Sequence, residues 1–390
     1  MTTNKANPSV AYRPFNILVL ATMSAGKTSF INALIGEELL HSANEATTAC
    51  ITTLEHDSER DSTSACCYAD NGDLLETIEN IQADQTKVWN SDHQVKNIVI
   101  RGNFNIHCRP AQGLVVHDTP GPNNSQDERH GQLMLESIRN IPFDMVFYIL
   151  NATQLGTHDD SQLLSMVKEE FDRLQRPCKV AFILNKVDQL DPEKGESIYS
   201  YVEQANDYLA SAGFADPIII PMIANAALYA RKELSGVPLS RKQRLELANF
   251  KEACQQDPYA LLKAARIPII TSENVKNQIQ LTTQNISASY FRNNDLHLLI
   301  PYSGLTTAAI VIDQERAKIA RISTRKTAQE KRNKIQGIRV NKIEITHNPF
   351  TIDTQFTING QVPAPSCKLS SYTESRLQIW VEDLFDELSE

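Results

Sequence analysis

Continuous apolar runs and helically spaced apolar positions alternate along the first 230 residues. Phe15–Leu20, Leu114–Val116, Cys178–Leu184 and Pro217–Ile223 read as strands buried on both faces. Ser29–Gly36, Asp159–Leu174 and Pro192–Ala212 carry apolar residues at helical spacing and read as helices flanking a sheet. Such alternation predicts a doubly wound α/β fold. The rhythm is lost between Arg231 and Ile300. There Ser240–Ala253 reads as an exposed, charged helix with Leu245, Leu247 and Phe250 as its few apolar positions, and the amide-rich Asn274–Asn285 carries no chemical motif. Tyr302-Ser303-Gly304-Leu305 opens the last long helix, with the glycine at its start or in a preceding turn. After Gly337, Val340–Thr346 and Thr351–Ile358 read as two strands, with Asn359-Gly360 as a turn. A capping box, Ser371-x-x-Glu374, then leads into Leu377, Trp380, Val381, Leu384, Phe385 and Leu388 at helical spacing, giving a small α+β tail. That last helix reaches Glu390 without a C-cap, as expected of a fragment of something longer.

Composition narrows the class. The 390 residues are 41% hydrophobic and 22% charged, ordinary for a globular protein with a substantial core. No apolar run has the length to span a bilayer, and residues 1–7 lack the apolar segment of a secretory signal, so a cytoplasmic location is expected. The seven cysteines form no CxxC pair or Cys/His cluster of the zinc-binding kind. A net charge of −9 argues against a surface built for nucleic acid. The segment Arg316–Lys342 is the exception, with ten basic residues against Glu330 alone. Its net +9 leaves −18 on the rest of the chain, so a patch there for an acidic membrane surface or another acidic partner is the sharper reading beside a solvated helix face; nucleic acid fits less well.

Three stretches carry chemistry. Ala21-Thr22-Met23-Ser24-Ala25-Gly26-Lys27-Thr28 lies between the first strand and the first helix, as a phosphate loop does, with Ala21 where GxxxxGK[ST] has its first glycine. Met23, Ser24, Ala25, Gly26, Lys27, Thr28 and Ser29 are its candidate nucleotide contacts: main-chain N–H groups cradle the β-phosphate, Lys27 reaches the β- and γ-phosphates, and the Thr28 hydroxyl binds Mg²⁺. Asp118-Thr119-Pro120-Gly121 ends a buried strand; Asp118 is placed to hold Mg²⁺ through water, and the Gly121 N–H to sense the γ-phosphate. Asn185-Lys186-Val187-Asp188 follows another strand. Asp188 accepts from the N1–H and N2–H₂ of guanine, a donor pair adenine lacks; Asn185 braces base and phosphate loop, and the Lys186 stem covers the base. Between the first helix and the next strand, Thr48, with Thr47 in reserve, completes the Mg²⁺ shell when a γ-phosphate is present. Ala224 and Asn225, after the Pro217–Ile223 run, would bring N–H groups to the guanine O6.

These motifs, with Ile31–Gly36, Asn44–Ala49, Asp118–Pro122 and Asn151–Asp160, resemble the bacterial dynamin-like proteins over roughly residues 10 to 230, with a weaker match at Ser303–Leu305. The resemblance implies a dynamin-type P-loop GTPase domain whose central sheet is mostly parallel and enlarged. Lys27 and Asp118 lie 91 positions apart, and Cys66–Asp70 and Asn97–Asn103 read as the extra strands. It also implies a catalytic arrangement. Small Ras-like enzymes position water with a glutamine just after the DxxG glycine, where this chain has Pro122. The dynamin solution uses the phosphate-loop serine, here Ser24, to orient a monovalent cation, K⁺ or Na⁺, and pairs two GTPase domains across their nucleotide faces. Dynamins proper often carry glutamine just before that serine, where this chain has Met23, so main-chain groups, Thr48 or the dimer partner must assist. Ser24, Lys27, Thr48 and Gly121 are thus the candidate catalytic residues.

The expected organisation is a GTPase core over 10–235, an insertion or helical extension over 236–300, a basic last helix completing the domain over 301–336, and a small α+β region over 337–390. The expected function is Mg²⁺-dependent hydrolysis of GTP coupled to self-association, in the cytoplasm or peripherally at a membrane. The alternative is a slow-hydrolysing, nucleotide-switched module recruited through its basic segment or C-terminal tail.

Overall fold

The computed structural model describes residues 13–22, 24–41, 50–108, 111–120, 128–174, 178–288, 294–336, 340–348, 351–358 and 368–369, with side chains described up to residue 322 except at 128–131, 133, 158–160, 286–288 and 294. Contacts divide the chain into two compact units, Met1–Ala317 and Lys318–Glu390.

The first unit is built on a nine-stranded sheet. In chain order its strands are β1 (Phe15–Ala21), β2 (Ile51–His56), β3 (Ser64–Tyr68), β4 (Leu74–Glu79), β5 (Asn97–Gly102), β6 (Leu114–Asp118), β7 (Met145–Asn151), β8 (Lys179–Asn185) and β9 (Ile218–Met222). Their spatial order is β4-β3-β5-β2-β6-β1-β7-β8-β9. Strands β6, β1, β7, β8 and β9 run parallel, and their unbroken Val/Ile/Leu/Phe runs are what a sheet covered on both faces requires. All seven residues of β7 are buried. Strand β2 joins β6 antiparallel, and β5, β3 and β4 continue the sheet beyond it. The long interval between Lys27 and Asp118 is spent on these added strands. Strand β4 escaped the sequence pattern because it is an edge strand with nearly every residue exposed, Leu74 at 57% and Leu75 at 43%.

Helices α1 (Lys27–Ile35), α2 (Ala83–Ser91), α3 (Glu128–Asn140), α4 (His158–Leu174), α5 (Ile198–Ser211) and α6 (Ala224–Leu234) punctuate the strands. The helix expected from Pro192 starts six residues later. Pro192–Lys194 is a single 3₁₀ turn capped by Asp191, and Ser197, in a capping box with Ser200, begins α5. Beyond α6 come α7 (Arg241–Gln256), α8 (Ala260–Ala264), α9 (Ile269–Ala288), α10 (Asn294–Tyr302) and α11 (Leu305–Gln336). Ser240 caps α7 in a capping box with Gln243, and the helix buries Leu247, Phe250 and Cys254 while Leu245 stays exposed. Helix α10 packs on α6, α7 and α9, and α8 lies against β9, so this helical layer backs the β8–β9 side of the sheet.

In the second unit, β10 (Val340–Asn348) and β11 (Thr351–Ile358) pair antiparallel, and β12 (Lys368–Leu369) adds to β11. Asn359-Gly360, Ser371, Glu374 and the apolar positions from Leu377 to Leu388 lie outside the described residues. Among the described residues no single helix is long and apolar enough to cross a membrane.

Candidate nucleotide site

Strand β1 delivers the phosphate loop at the centre of the sheet, between β6 and β7. Thr22 is fastened there by its N–H to Ile149 O (3.0 Å). The chain then turns through two left-handed residues, Ser24 at φ 52° and Gly26 at φ 88°, before α1 begins. Ser24 is exposed, a β-carbon-bearing residue held where such residues rarely sit, as at many functional loops. Gly26 has no alternative: its conformation is left-handed, and a Cβ would overlap the Asn185 carboxamide. Helix α1 has no side-chain cap and no acidic residue in its first turn. The first helical N–H bond is made by Phe30, to Gly26 O (3.0 Å), so the N–H groups of Lys27, Thr28 and Ser29 open the helix. An uncompensated helix start of this kind is suited to an anion.

Asp118 ends β6, opposite Val19 of β1 and Thr52 of β2. Lys27 Nζ donates to Asp118 Oδ1 and to Thr119 O, while Thr119 Oγ1 donates to Val19 O (2.8 Å). The two motifs are therefore bonded directly. Next to Asp118, buried His117 accepts from the Thr53 hydroxyl at Nδ1 and donates from Nε2 to Asn16 Oδ1, both at 3.1 Å, so its neutral form is fully paired. Burial lowers its pKa to about 4.

Asn185 ends β8 and is buried. Its Nδ2 donates to Ala25 O (2.7 Å), and its Oδ1 accepts from the Ala224 N–H (3.1 Å). The phosphate loop, the β8 end and the start of α6 are thus held by one side chain. The Ala224 N–H, a sequence candidate for the guanine O6, is engaged in that bond. Ala226 N–H bonds Ile223 O (3.0 Å), and Asn225 is the intervening residue of the same first turn whose N–H finds no acceptor among the described residues. Lys186 is left-handed at φ 65° and half-buried, and burial lowers its pKa. Asp188 is open to water yet ringed by protein. Burial raises its pKa, Glu246 raises it further, and its own N–H and Lys186 oppose the rise. Met23, Thr47, Thr48, Gly121 and Pro122 lie outside the described residues.

Thr28 and Asp118 fit Mg²⁺ by the chemistry of their donors, one hydroxyl and one carboxylate. Among the described residues no group of three or more His, Cys, Asp or Glu side chains is placed to hold a metal. A Mg²⁺ ion here would take its other ligands from phosphate oxygens and water, the usual division for a nucleotide site.

The family model of the dynamin family matches residues 17–187, from within β1 to the residue before Asp188. These residues match the GTPase domain of the dynamin family. Dynamin-like protein A of Bacillus subtilis (strain 168) is 24% identical over 243 residues, covering 62% of this chain and 19% of that protein. A bacterial dynamin-like protein of Nostoc punctiforme is 25% identical over 199 residues, covering 47% of this chain and 27% of its own length. The chain thus spans a fifth to a quarter of these relatives. A solved structure of an oligomerised bacterial dynamin pair, described as providing a mechanism for long-range sensing and tethering of membranes, aligns over 83% of this chain and 48% of its own at 15% identity and a TM-score of 0.41.

The site also rests on residues to which the sequence reading gave no part in it. Asn32 is buried in α1 and binds the Leu39 and Leu40 N–H groups (3.2 and 2.9 Å) and Leu40 O (2.7 Å), fixing the chain that leads toward residues 42–49. A lone Asn inside the apolar run Phe30–Ile35 was the available signal. Asn151 caps the 3₁₀ turn Ala152–Gln154 beside the phosphate loop. Buried Arg231, on α6, donates to Ala33 O (2.9 Å), Leu34 O (3.3 Å) and Asn105 O, closing the last turn of α1. Ser303 and Gly304, the site of the weaker family match, form the α10–α11 turn behind β9. Ile223 N–H donates to Ser303 O (3.0 Å), and at Gly304 (φ 89°) a Cβ would press on Pro221 O.

Proposed function

We propose that this chain binds GTP across the β1–α1 loop and the ends of β6, β8 and β9, and hydrolyses it to GDP and phosphate with Mg²⁺. The observation that carries the reading is Asn185, whose single carboxamide joins the phosphate loop to the start of α6 and so sets the distance between a triphosphate site and a base site. Asp188 is the guanine-selecting acceptor. Lys27 exchanges Asp118 and Thr119 O for the phosphates when nucleotide enters. Mg²⁺, when bound, neutralises charge on the phosphate oxygens, and Thr28 and Asp118 are the residues that hold it. Ser24, Gly121 and Thr48 complete the catalytic set, with K⁺ or Na⁺ oriented by Ser24. Pro122 cannot position water, so turnover depends on the phosphate loop and on association of a second GTPase domain. The basic stretch Arg316–Lys342 would carry the chain to an acidic membrane surface or another acidic partner.

Titrations of the full chain with fluorescent GDP and ADP test the site. GDP is expected to bind at least a hundredfold tighter, Lys27→Ala to abolish binding, and Asp188→Asn to shift preference toward XDP. Equal binding of GDP and ADP would overturn the assignment.

A further inference from the structure

Helix α7 lies outside residues 17–187, yet it packs against α6, whose first residue, Ala224, is bonded to Asn185. The contact is specific. Tyr229 of α6 is buried, its ring stacks on Phe250 of α7 (6.4 Å between centroids, 26° between planes), and its hydroxyl donates to Glu246 Oε2 (3.0 Å). Tyr229 therefore holds the Glu246 carboxylate in one place rather than leaving it to swing from an exposed helix. Tyr229 lies five residues after Ala224 on α6, and Ala224 is bonded to Asn185, three positions before Asp188, so this contact carries the Glu246 carboxylate toward Asp188, whose carboxyl it helps to hold above the ordinary value.

We propose that Glu246 is a specificity-determining residue of the base site, a fixed second carboxylate that deepens the negative potential at the edge where guanine presents N1–H and N2–H₂. This rests on the GTP-site reading above. The neighbouring cations do not cancel it. Lys242 pairs with Glu246 at 3.7 Å but is 86% exposed, so water screens it, while the Lys232 ammonium is taken by Glu38. Among the described residues, Lys186 is the cation that acts on Asp188, and it is assigned to the face of the base rather than its edge. A negative potential at that edge favours guanine, whose C2 substituent is an N–H donor, and disfavours xanthine, which has an oxygen at C2.

The test is the affinity of the full chain for GDP and XDP in wild type, Glu246→Gln, Tyr229→Phe and Asp188→Asn. Gln keeps the acceptor for Tyr229 and removes only the charge. Glu246→Gln is expected to weaken GDP about threefold and tighten XDP by a similar factor. Tyr229→Phe, which frees the carboxylate, is expected to move both affinities in the same directions by less. Opposite signs for the two nucleotides separate a field effect from a packing defect, which would weaken both. Parallel changes, or none, in a Glu246→Gln protein whose Asp188→Asn counterpart loses GDP would overturn the role of Glu246 alone. GDP affinity indifferent to Asp188→Asn would overturn the base site and this inference with it.

Discussion

The carboxamide of Asn185 reaches Ala25, 160 positions earlier, and Ala224, 39 positions later. Replacing it with Ala leaves a buried carbonyl and a buried N–H unpaired and loosens the loop that must meet the phosphates. The expected outcome for Asn185→Ala is a loss of about 1–3 kcal/mol in unfolding free energy, read by denaturant titration, together with a tenfold or larger loss of GDP affinity. Gly26→Ala is expected to be worse for nucleotide than for folding, because the added Cβ pushes on that same carboxamide. Lys27, Asp118 and Asn185, which the fold brings together at the β1–α1 loop, stood out in the sequence because each sits in a short contiguous motif beside an apolar strand. The engagement of the Ala224 N–H was not legible, since it depends on which donor the folded Asn185 oxygen meets first. Arg231 was hidden for a related reason: nothing in its local sequence says that its partners are carbonyls near position 34 and at Asn105.

At the scale of elements, two helix junctions hold the site from behind. Arg231 joins α6 to the end of α1 with a buried guanidinium whose pKa burial lowers to about 10, and Arg231→Leu is expected to destabilise the domain by about 3 kcal/mol because three carbonyls lose a charged donor. Glu170 of α4 accepts from Arg139 of α3 (2.7 Å) and from Arg173 of its own helix (2.6 and 3.0 Å), clamping the helix that follows the Asp118 loop. Those hydrogen bonds hold its carboxyl below the ordinary 4.5. Its contribution is therefore complete above pH 4.5 and is lost as pH falls through the lower folded value. The difference in melting temperature between wild type and Glu170→Gln is expected to be largest at pH 6–7 and to close on acidification below pH 4. The central strands were legible as apolar runs buried on both faces. Strand β4 was not, because an exposed edge leaves no alternation to read. Helix α5 was drawn too long because Pro192 mimics a helix start, whereas Asp191 and Ser197 set separate caps.

For the whole molecule, charge and contacts change at nearly the same point. The basic stretch begins at Arg316, and the boundary between the two compact units falls after Ala317, within α11. The sequence reading kept residues 301–336 together as one helix, and no sequence pattern told how many helices precede it, since α7–α10 follow no strand rhythm. Vesicles containing anionic lipid are expected to pellet the full chain in a salt-sensitive manner, and an Arg321/Arg325/Lys326 charge-removal variant is expected to lose most of that binding; unchanged pelleting would reject the patch. The central claim, that this site turns over GTP and does so most effectively in company, is tested most directly by steady-state GTP hydrolysis with Mg²⁺. The rate per chain is measured against protein concentration in K⁺ and in Na⁺, for wild type and Lys27→Ala. The expected result is a rate that rises with concentration and vanishes in Lys27→Ala; a negligible rate, or one independent of both concentration and Lys27, would contradict the account.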